Sequence, residues 1–80
     1  MKVTVKLYSI FRLNYSNYNE KEGIQLDVER GATAADLIEI LEIDPQKVAM
    51  ICINGEIKRE KDITLTEGDI VQIFPFFGGG

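Results

Sequence analysis

The chain has 80 residues and a formal net charge of −4, with 45% hydrophobic and 28% charged residues. This length and composition indicate a single globular domain with a modest core, and the acidic balance argues against nucleic acid or an anionic membrane as a partner. One Cys and no His exclude a disulfide framework, a zinc site and His-based acid–base chemistry, so we expect no bound metal.

The chain begins with a strand pattern. Val3, Val5 and Leu7 alternate with polar residues, which predicts a half-buried strand over residues 2–11. This beginning is not a signal peptide, and together with the lone thiol it favours the cytoplasm. A polar stretch over residues 13–23 predicts a solvated loop, and renewed alternation predicts a second strand over residues 24–29.

A helix is predicted over residues 34–42. Ala34, Leu37 and Ile38 fall on one helical face, and Thr33 is placed to cap the first turn. Asp36 stands where a capping box has Glu. The Pro after this helix, at position 45, is placed to start a short helical turn.

Three strands are predicted in the remainder of the chain. Residues 48–53 are apolar on both faces, so we expect a covered strand with Cys52 in the core. Asn54-Gly55 predicts a tight hairpin to a short charged strand over residues 56–59. The last strand is predicted over residues 70–74, ended by Pro75, which has no N–H for the ladder.

The order of elements is β-β-α-β-β-β. For one helix to cover one face of the sheet, the first strand must pair with the last in parallel, which is the β-grasp, or ubiquitin-like, α+β roll with a mixed sheet. We therefore predict a β-grasp domain over residues 1–75 and a C-terminal tail over residues 76–80.

The tail is the feature that suggests chemistry. It ends in Gly78, Gly79 and Gly80, which have no side chains to pack, so we expect it to be flexible. A thread without Cβ atoms can enter a narrow channel, and its terminal carboxylate, ionised at neutral pH, could attack the α-phosphate of ATP. The resulting acyl-adenylate would be open to a sulfur donor. A functionless frayed tail is the plain alternative, and the preceding Phe76 and Phe77 argue against it.

A docking surface is predicted at the root of the tail. Strand alternation turns Tyr8 and Phe74 away from the core, near the same end of the same face, and Ile57 can join them. With Phe76 and Phe77 they would form an apolar patch of the kind found at protein interfaces. The alternative is that Phe76 and Phe77 fold back onto the domain's own core, and for Phe77 the two interpretations are equally favoured.

Several short motifs occur in a specific order that runs to the last residue. They are Gly31-Ala32-Thr33-Ala34-Ala35-Asp36-Leu37, Ile53-Asn54-Gly55-Glu56, Glu67-Gly68-Asp69-Ile70-Val71, Phe74-Pro75 and Gly79-Gly80. In this order they resemble the MoaD/ThiS family of sulfur-carrier proteins, over all 80 residues.

The resemblance implies that an E1-like adenylyltransferase of the MoeB/ThiF type, using ATP and magnesium, adenylates Gly80, which then becomes a thiocarboxylate at the expense of a sulfur donor protein. It also implies that Tyr8, Ile57 and Phe74 match partner-docking positions. The chain itself would be a protein co-substrate rather than an enzyme, with no cofactor bound.

Two branches of the family remain open. The long first loop, Arg12 and Phe74-Pro75 resemble MoaD, the small subunit of molybdopterin synthase, whose partner is the large subunit. Residues 44–48 and the ending Phe76-Phe77-Gly78-Gly79-Gly80 resemble ThiS, which serves thiazole synthase. We favour the pterin branch, with molybdenum or tungsten as the metal of the final cofactor.

Two other functions share this sequence pattern. A ubiquitin-like modifier would be joined through Gly80 to lysines of other proteins. A noncovalent binding module would use the sheet alone and leave the tail without a role.

Overall fold

The computed structural model describes residues 1–15 and 17–76. Within them the elements, in chain order, are β1 (Lys2–Leu7), a 3-10 helix (Ser9–Asn14), β2 (Ile24–Asp27), α1 (Ala34–Ile40), a second 3-10 helix (Pro45–Lys47), β3 (Val48–Ile53), β4 (Glu56–Lys58) and β5 (Ile70–Pro75). No helix in this part of the chain is long and apolar enough to cross a membrane.

The strands form one mixed sheet in the order β2-β1-β5-β3-β4. The two central strands, β1 and β5, are parallel, with Thr4 opposite Ile70 and Leu7 opposite Ile73. The other neighbouring strands are antiparallel. This is the predicted β-grasp, and the parallel pair directs the C-terminal ends of β1 and β5 to the same edge of the sheet.

The core lies between α1 and one face of the sheet. Alternation on β1 and β5 turns Val3, Val5 and Leu7 to this face together with Val71 and Ile73, all at most 1% exposed. The core also contains Phe11, Ala34, Leu37, Ile38, Leu41, Ile43, Val48, Ile51, Ile53 and Leu65. Burial of these side chains is the main stabilising term of the domain.

The end of the first strand was predicted wrongly. β1 stops at Leu7 rather than at residue 11, because Ser9 has a positive φ of 54° and the chain turns into the 3-10 helix. That turn carries Phe11 into the core, where it is 3% exposed. The second strand is also shorter than predicted and ends at Asp27.

The helix ends two residues earlier than predicted, at Ile40. Glu42 takes a left-handed φ of 58°, and the amide of Ile43 donates to the carbonyl of Ile38 at 3.0 Å. The amide of Glu42 donates to Glu39 in the same turn. These two bonds form a Schellman motif, which closes the helix although Glu stands where Gly is usual.

The boundaries of the last two strands also differ slightly from the prediction. β4 ends at Lys58, one residue early, and β5 includes Pro75, which pairs with Val48 at the end of the ladder. Pro75 is fully buried and is the last residue of β5, so the strand ends at this proline rather than before it. The boundaries of β3 are those predicted, and Asn54 and Gly55 both have the positive φ that the tight hairpin requires.

Candidate functional site

β1 and β5 both end at one edge of the sheet, which we call the exit because Phe76, the last described residue, follows β5 there. Tyr8 directly follows β1, and Phe76 directly follows β5 with 68% of its surface exposed. Phe77, Gly78, Gly79 and Gly80 lie outside the described residues, so their roles in the tail and in docking stay predictions.

The register of the strands gives the layout of the sheet face that points away from α1, which we call the outer face. Gln72 lies opposite Lys6 on β1 and opposite Cys52 on β3, and Cys52 lies opposite Ile57 on β4. The next row towards the exit contains Phe74, opposite Met50. These residues alternate with the buried ones along each strand and therefore share the outer face.

An aromatic pair occupies the outer face at the exit. The rings of Tyr8 and Phe74 are stacked with centroids 4.4 Å apart and planes 7° apart. The amide Nε2 of Gln72 donates a hydrogen bond of 2.7 Å to the Tyr8 hydroxyl. Ring stacking of this kind adds roughly 0.5–1.5 kcal/mol beyond area burial. Each of these contacts holds the Tyr8 ring in place before any partner arrives.

Two further apolar side chains of this region are open to solvent. Ile57, on the outer face, is 66% exposed, and Phe76, at the exit, is 68% exposed. We call Tyr8, Ile57, Phe74 and Phe76 the apolar patch. The structure thus places Tyr8 and Phe74 side by side, as the alternation predicted, with Ile57 on the same face and Phe76 at the start of the tail.

The loop beside the patch was predicted to be solvated, but several of its side chains bind to the rest of the domain. The Tyr18 hydroxyl accepts a 2.8 Å hydrogen bond from the amide of Leu7, at the end of β1. Arg12 in the 3-10 helix forms an ion pair with Glu20. A small notch of about 180 Å³ lies between these side chains and Tyr8. The signal that was missed is the pair of tyrosines at positions 15 and 18, which pack against the core.

Cys52 is buried, as predicted. Its neighbours Ile51 and Ile53 point towards α1, so Cys52 points to the outer face, and it is 7% exposed between Gln72 and Ile57. β3 is apolar on both faces, so alternation alone did not specify which face Cys52 occupies.

Two groups among the described residues have shifted pKa values, and neither belongs to the apolar patch. Burial acts to raise the pKa of the Asp69 carboxyl, but hydrogen bonds from Thr66 and Asn54 outweigh it and hold the pKa below its usual value. Burial and the nearby Glu42 raise the pKa of the Tyr15 phenol, whose hydroxyl donates to the carbonyl of Leu41 at 2.7 Å. These groups stabilise turns and loops.

Metal ligands do not cluster in this part of the molecule. Across residues 1–15 and 17–76, no three His, Cys, Asp or Glu side chains converge in a way that could hold a metal ion. What the site offers is therefore an apolar contact surface beside the point from which the chain continues towards Gly80.

Comparison with known proteins identifies a matching family and similar folds. The model of the ThiS family matches residues 13–80. The chain is similar to a Pyrococcus furiosus protein assigned as molybdopterin converting factor, subunit 1, with 27% identity, a TM-score of 0.72, and coverage of 94% of this chain and 97% of that one. A search of curated proteins finds no match.

Two more distant solved structures have the same fold. SAMP1 from Haloferax volcanii is 18% identical with a TM-score of 0.72, and all of both chains is covered. The complex of subunits 1 and 2 of the molybdopterin-converting factor from Helicobacter pylori matches with 19% identity and a TM-score of 0.62, again over both whole chains.

Proposed function

The chain belongs to the ThiS family, and on that basis we propose that it is a sulfur carrier whose reactive group is the carboxylate of Gly80. The observation that carries the proposal is the family match, because it runs through Gly80 itself. The position of the apolar patch at the exit of the chain supports it, since a partner seated there would lie next to the tail.

The proposed chemistry has three steps. An oxygen of the Gly80 carboxylate attacks the α-phosphorus of ATP on an E1-like enzyme, which forms an acyl-adenylate and releases pyrophosphate. A sulfide-level donor then attacks the acyl carbon, AMP leaves, and Gly80 becomes a thiocarboxylate. The thiocarboxylate sulfur finally attacks an acceptor carbon and displaces its leaving group as the carbon–sulfur bond forms. Water then cleaves the acyl–sulfur bond, which leaves the sulfur on the acceptor and restores the Gly80 carboxylate. The domain supplies recognition, and the activating enzyme supplies the catalytic groups, ATP and Mg²⁺.

We assign the acceptor to molybdopterin synthesis first. The similar Pyrococcus furiosus protein carries the assignment molybdopterin converting factor, subunit 1, and a chain of this kind would act as the small subunit beside a larger one. Thiazole synthesis is the second candidate, favoured by the description of the matching family as ThiS. Co-purification distinguishes them: a large pterin-synthase subunit supports the first and thiazole synthase supports the second.

The test of the carrier function is the intact mass of the chain after incubation with an E1-like enzyme of the same genome, ATP, Mg²⁺ and sulfide. We expect an increase equal to the exchange of one oxygen for sulfur. A chain with one Ala added after Gly80 is the matched control, and it should not react because the carboxylate then belongs to a residue with a Cβ. No mass change in the unaltered chain, or an equal change in both chains, would overturn the proposal.

A further inference from the structure

Two hydrogen-bonded polar side chains, with Lys6 beside them on β1, adjoin the apolar patch at the exit of the chain. Gln72 lies one row from Phe74 on the outer face, and its amide nitrogen is 2.7 Å from the hydroxyl oxygen of Tyr8. The Tyr8 ring is in turn fixed by its stacking on Phe74. Tyr8 and Gln72 therefore form a rigid pair whose remaining hydrogen-bonding groups have a defined position.

The pair has hydrogen-bonding capacity that it does not use internally. The Tyr8 oxygen accepts from Gln72, which leaves the hydroxyl proton of Tyr8 and the amide oxygen of Gln72 without a partner among residues 1–15 and 17–76. In this part of the chain no fully buried side-chain nitrogen or oxygen lacks a hydrogen bond. The amide oxygen of Gln72 is thus accessible to water in the free protein.

A donor and an acceptor side by side are complementary to an amide group, which carries one of each. We propose that Tyr8 and Gln72 together bind an amide group of the E1-like adenylating enzyme in the docking interface. This inference rests on the proposed function, because it assumes that a partner covers the apolar patch. The amide can belong to the partner's main chain or to an Asn or Gln side chain.

We expect this contact to increase the selectivity for one partner more than it increases the overall affinity. A partner with a purely apolar surface would bury the Tyr8 hydroxyl and the Gln72 amide without partners, and an unsatisfied buried polar group is costly. A site built around such groups rejects a ligand that cannot pair with them much more strongly than an apolar site rejects a ligand of the wrong size. The pair would thus select one partner among proteins with similar apolar surfaces.

The test is a double-mutant cycle on the affinity for the E1-like adenylating enzyme of the same genome, measured by titration calorimetry. Tyr8→Phe keeps the stacked ring and removes the hydroxyl, and Gln72→Leu removes the amide. We expect each change to weaken binding about tenfold, which corresponds to about 1.4 kcal/mol. The double variant should be only slightly weaker than either single variant, because all three lose the same contact.

The matched control is a second polar pair on the same face. Thr4 donates to the amide oxygen of Gln25 at 3.1 Å, in the half of β1 that is farther from the exit. The double change Thr4→Val and Gln25→Leu should leave the affinity unchanged, and far-ultraviolet dichroism on heating should show that all variants remain folded.

Three outcomes separate this inference from the carrier function. If the unaltered chain binds and is thiocarboxylated but Tyr8→Phe and Gln72→Leu bind equally well, the amide contact is wrong and the carrier function stands. If the unaltered chain neither binds nor reacts, both are wrong. If both variants lose affinity as expected, the Asn and Gln residues on the enzyme's contact surface are replaced next. A further loss of affinity identifies a side-chain amide as the bound group, and no loss identifies a main-chain amide.

Discussion

At the scale of single residues, Asp69 is the one charged side chain among the described residues that is buried. It is 7% exposed, and its carboxylate accepts hydrogen bonds from the amide and hydroxyl of Thr66 at 2.8 and 3.0 Å and from the side chain of Asn54 at 2.8 Å. The carbonyl of Asn54's own side chain accepts from the amide of Ile70 at 2.9 Å. Asp69 thus joins the turn before β5 to the hairpin after β3.

We expect Asp69→Asn to lower the free energy of unfolding by roughly 1–3 kcal/mol at neutral pH, because an amide NH₂ replaces an acceptor oxygen and faces the donors of Thr66 and Asn54. The folded-state pKa of Asp69 is lowered, so its contribution is complete above the ordinary aspartate pKa of about 3.9 and is lost as the pH falls through the folded-state value. Urea titrations between pH 7 and pH 2 measure both effects.

The exposed Asp62 provides the control for this experiment. Asp62→Asn should change stability by less than about 0.5 kcal/mol. The role assigned to Asp69 would be wrong if Asp69→Asn and Asp62→Asn had equal effects, or if the Asp69→Asn variant lost stability in acid as steeply as the unaltered chain.

At the scale of elements, α1 shows how a helix of seven residues is defined at both ends. At its beginning, Thr33 and Asp36 form a reciprocal capping box with bonds of 2.8 and 3.2 Å. The amides of Ala34 and Ala35 donate to carbonyls of Ile63 and Lys61, in the segment before β5. At its end, Glu42 adopts the left-handed conformation that closes the Schellman motif. A helix this short depends on such contacts, because propagation alone does not stabilise it.

The left-handed Glu42 predicts a stabilising substitution. Glu42→Gly should raise the free energy of unfolding by about 0.5–1 kcal/mol, because glycine adopts a positive φ without the steric cost that a Cβ imposes. Removing this carboxylate should also lower the pKa of the Tyr15 phenol, which Glu42 helps to raise. Urea denaturation followed by dichroism measures the first effect, and an ultraviolet titration of tyrosine measures the second.

The same substitution three residues earlier is the control. Glu39 is exposed in the last turn of α1 and has no positive φ, so Glu39→Gly should destabilise the chain by up to about 1 kcal/mol. Equal signs for the two substitutions would contradict the account of the helix end.

The elements also show where sequence reasoning succeeds and where it stops. The parallel pairing of β1 with β5 follows from strand alternation and a single helix, and with it the proximity of Tyr8 and Phe74. The capping box follows from Thr33 and Asp36. The end of α1 could not be predicted because Glu42 gives no glycine signal. The bond from Gln72 to Tyr8 could not be predicted either, because it depends on side-chain conformations that strand periodicity does not specify.

At the scale of the whole molecule, the two faces of the sheet have different roles. One face packs on α1 and provides the core, and the other carries the apolar patch and the Tyr8–Gln72 pair. Parallel β1 and β5 bring these features to the edge where the chain leaves towards Gly80. The fold therefore separates stability from recognition, so that substitutions on the outer face can test binding without dismantling the core.

Cys52, the single cysteine of the sequence, reports on the integrity of the outer face. It is 7% exposed and lies opposite Ile57 of β4, a three-residue edge strand. We expect its thiol to react with Ellman's reagent far more slowly in the native chain than in urea. Ile57→Ala should accelerate the native reaction, because it removes cover from Cys52, whereas truncation of the exposed Leu13 should not. Equal rates in native and denatured chains would contradict the burial of this thiol, and equal rates in the two variants would contradict its protection by β4.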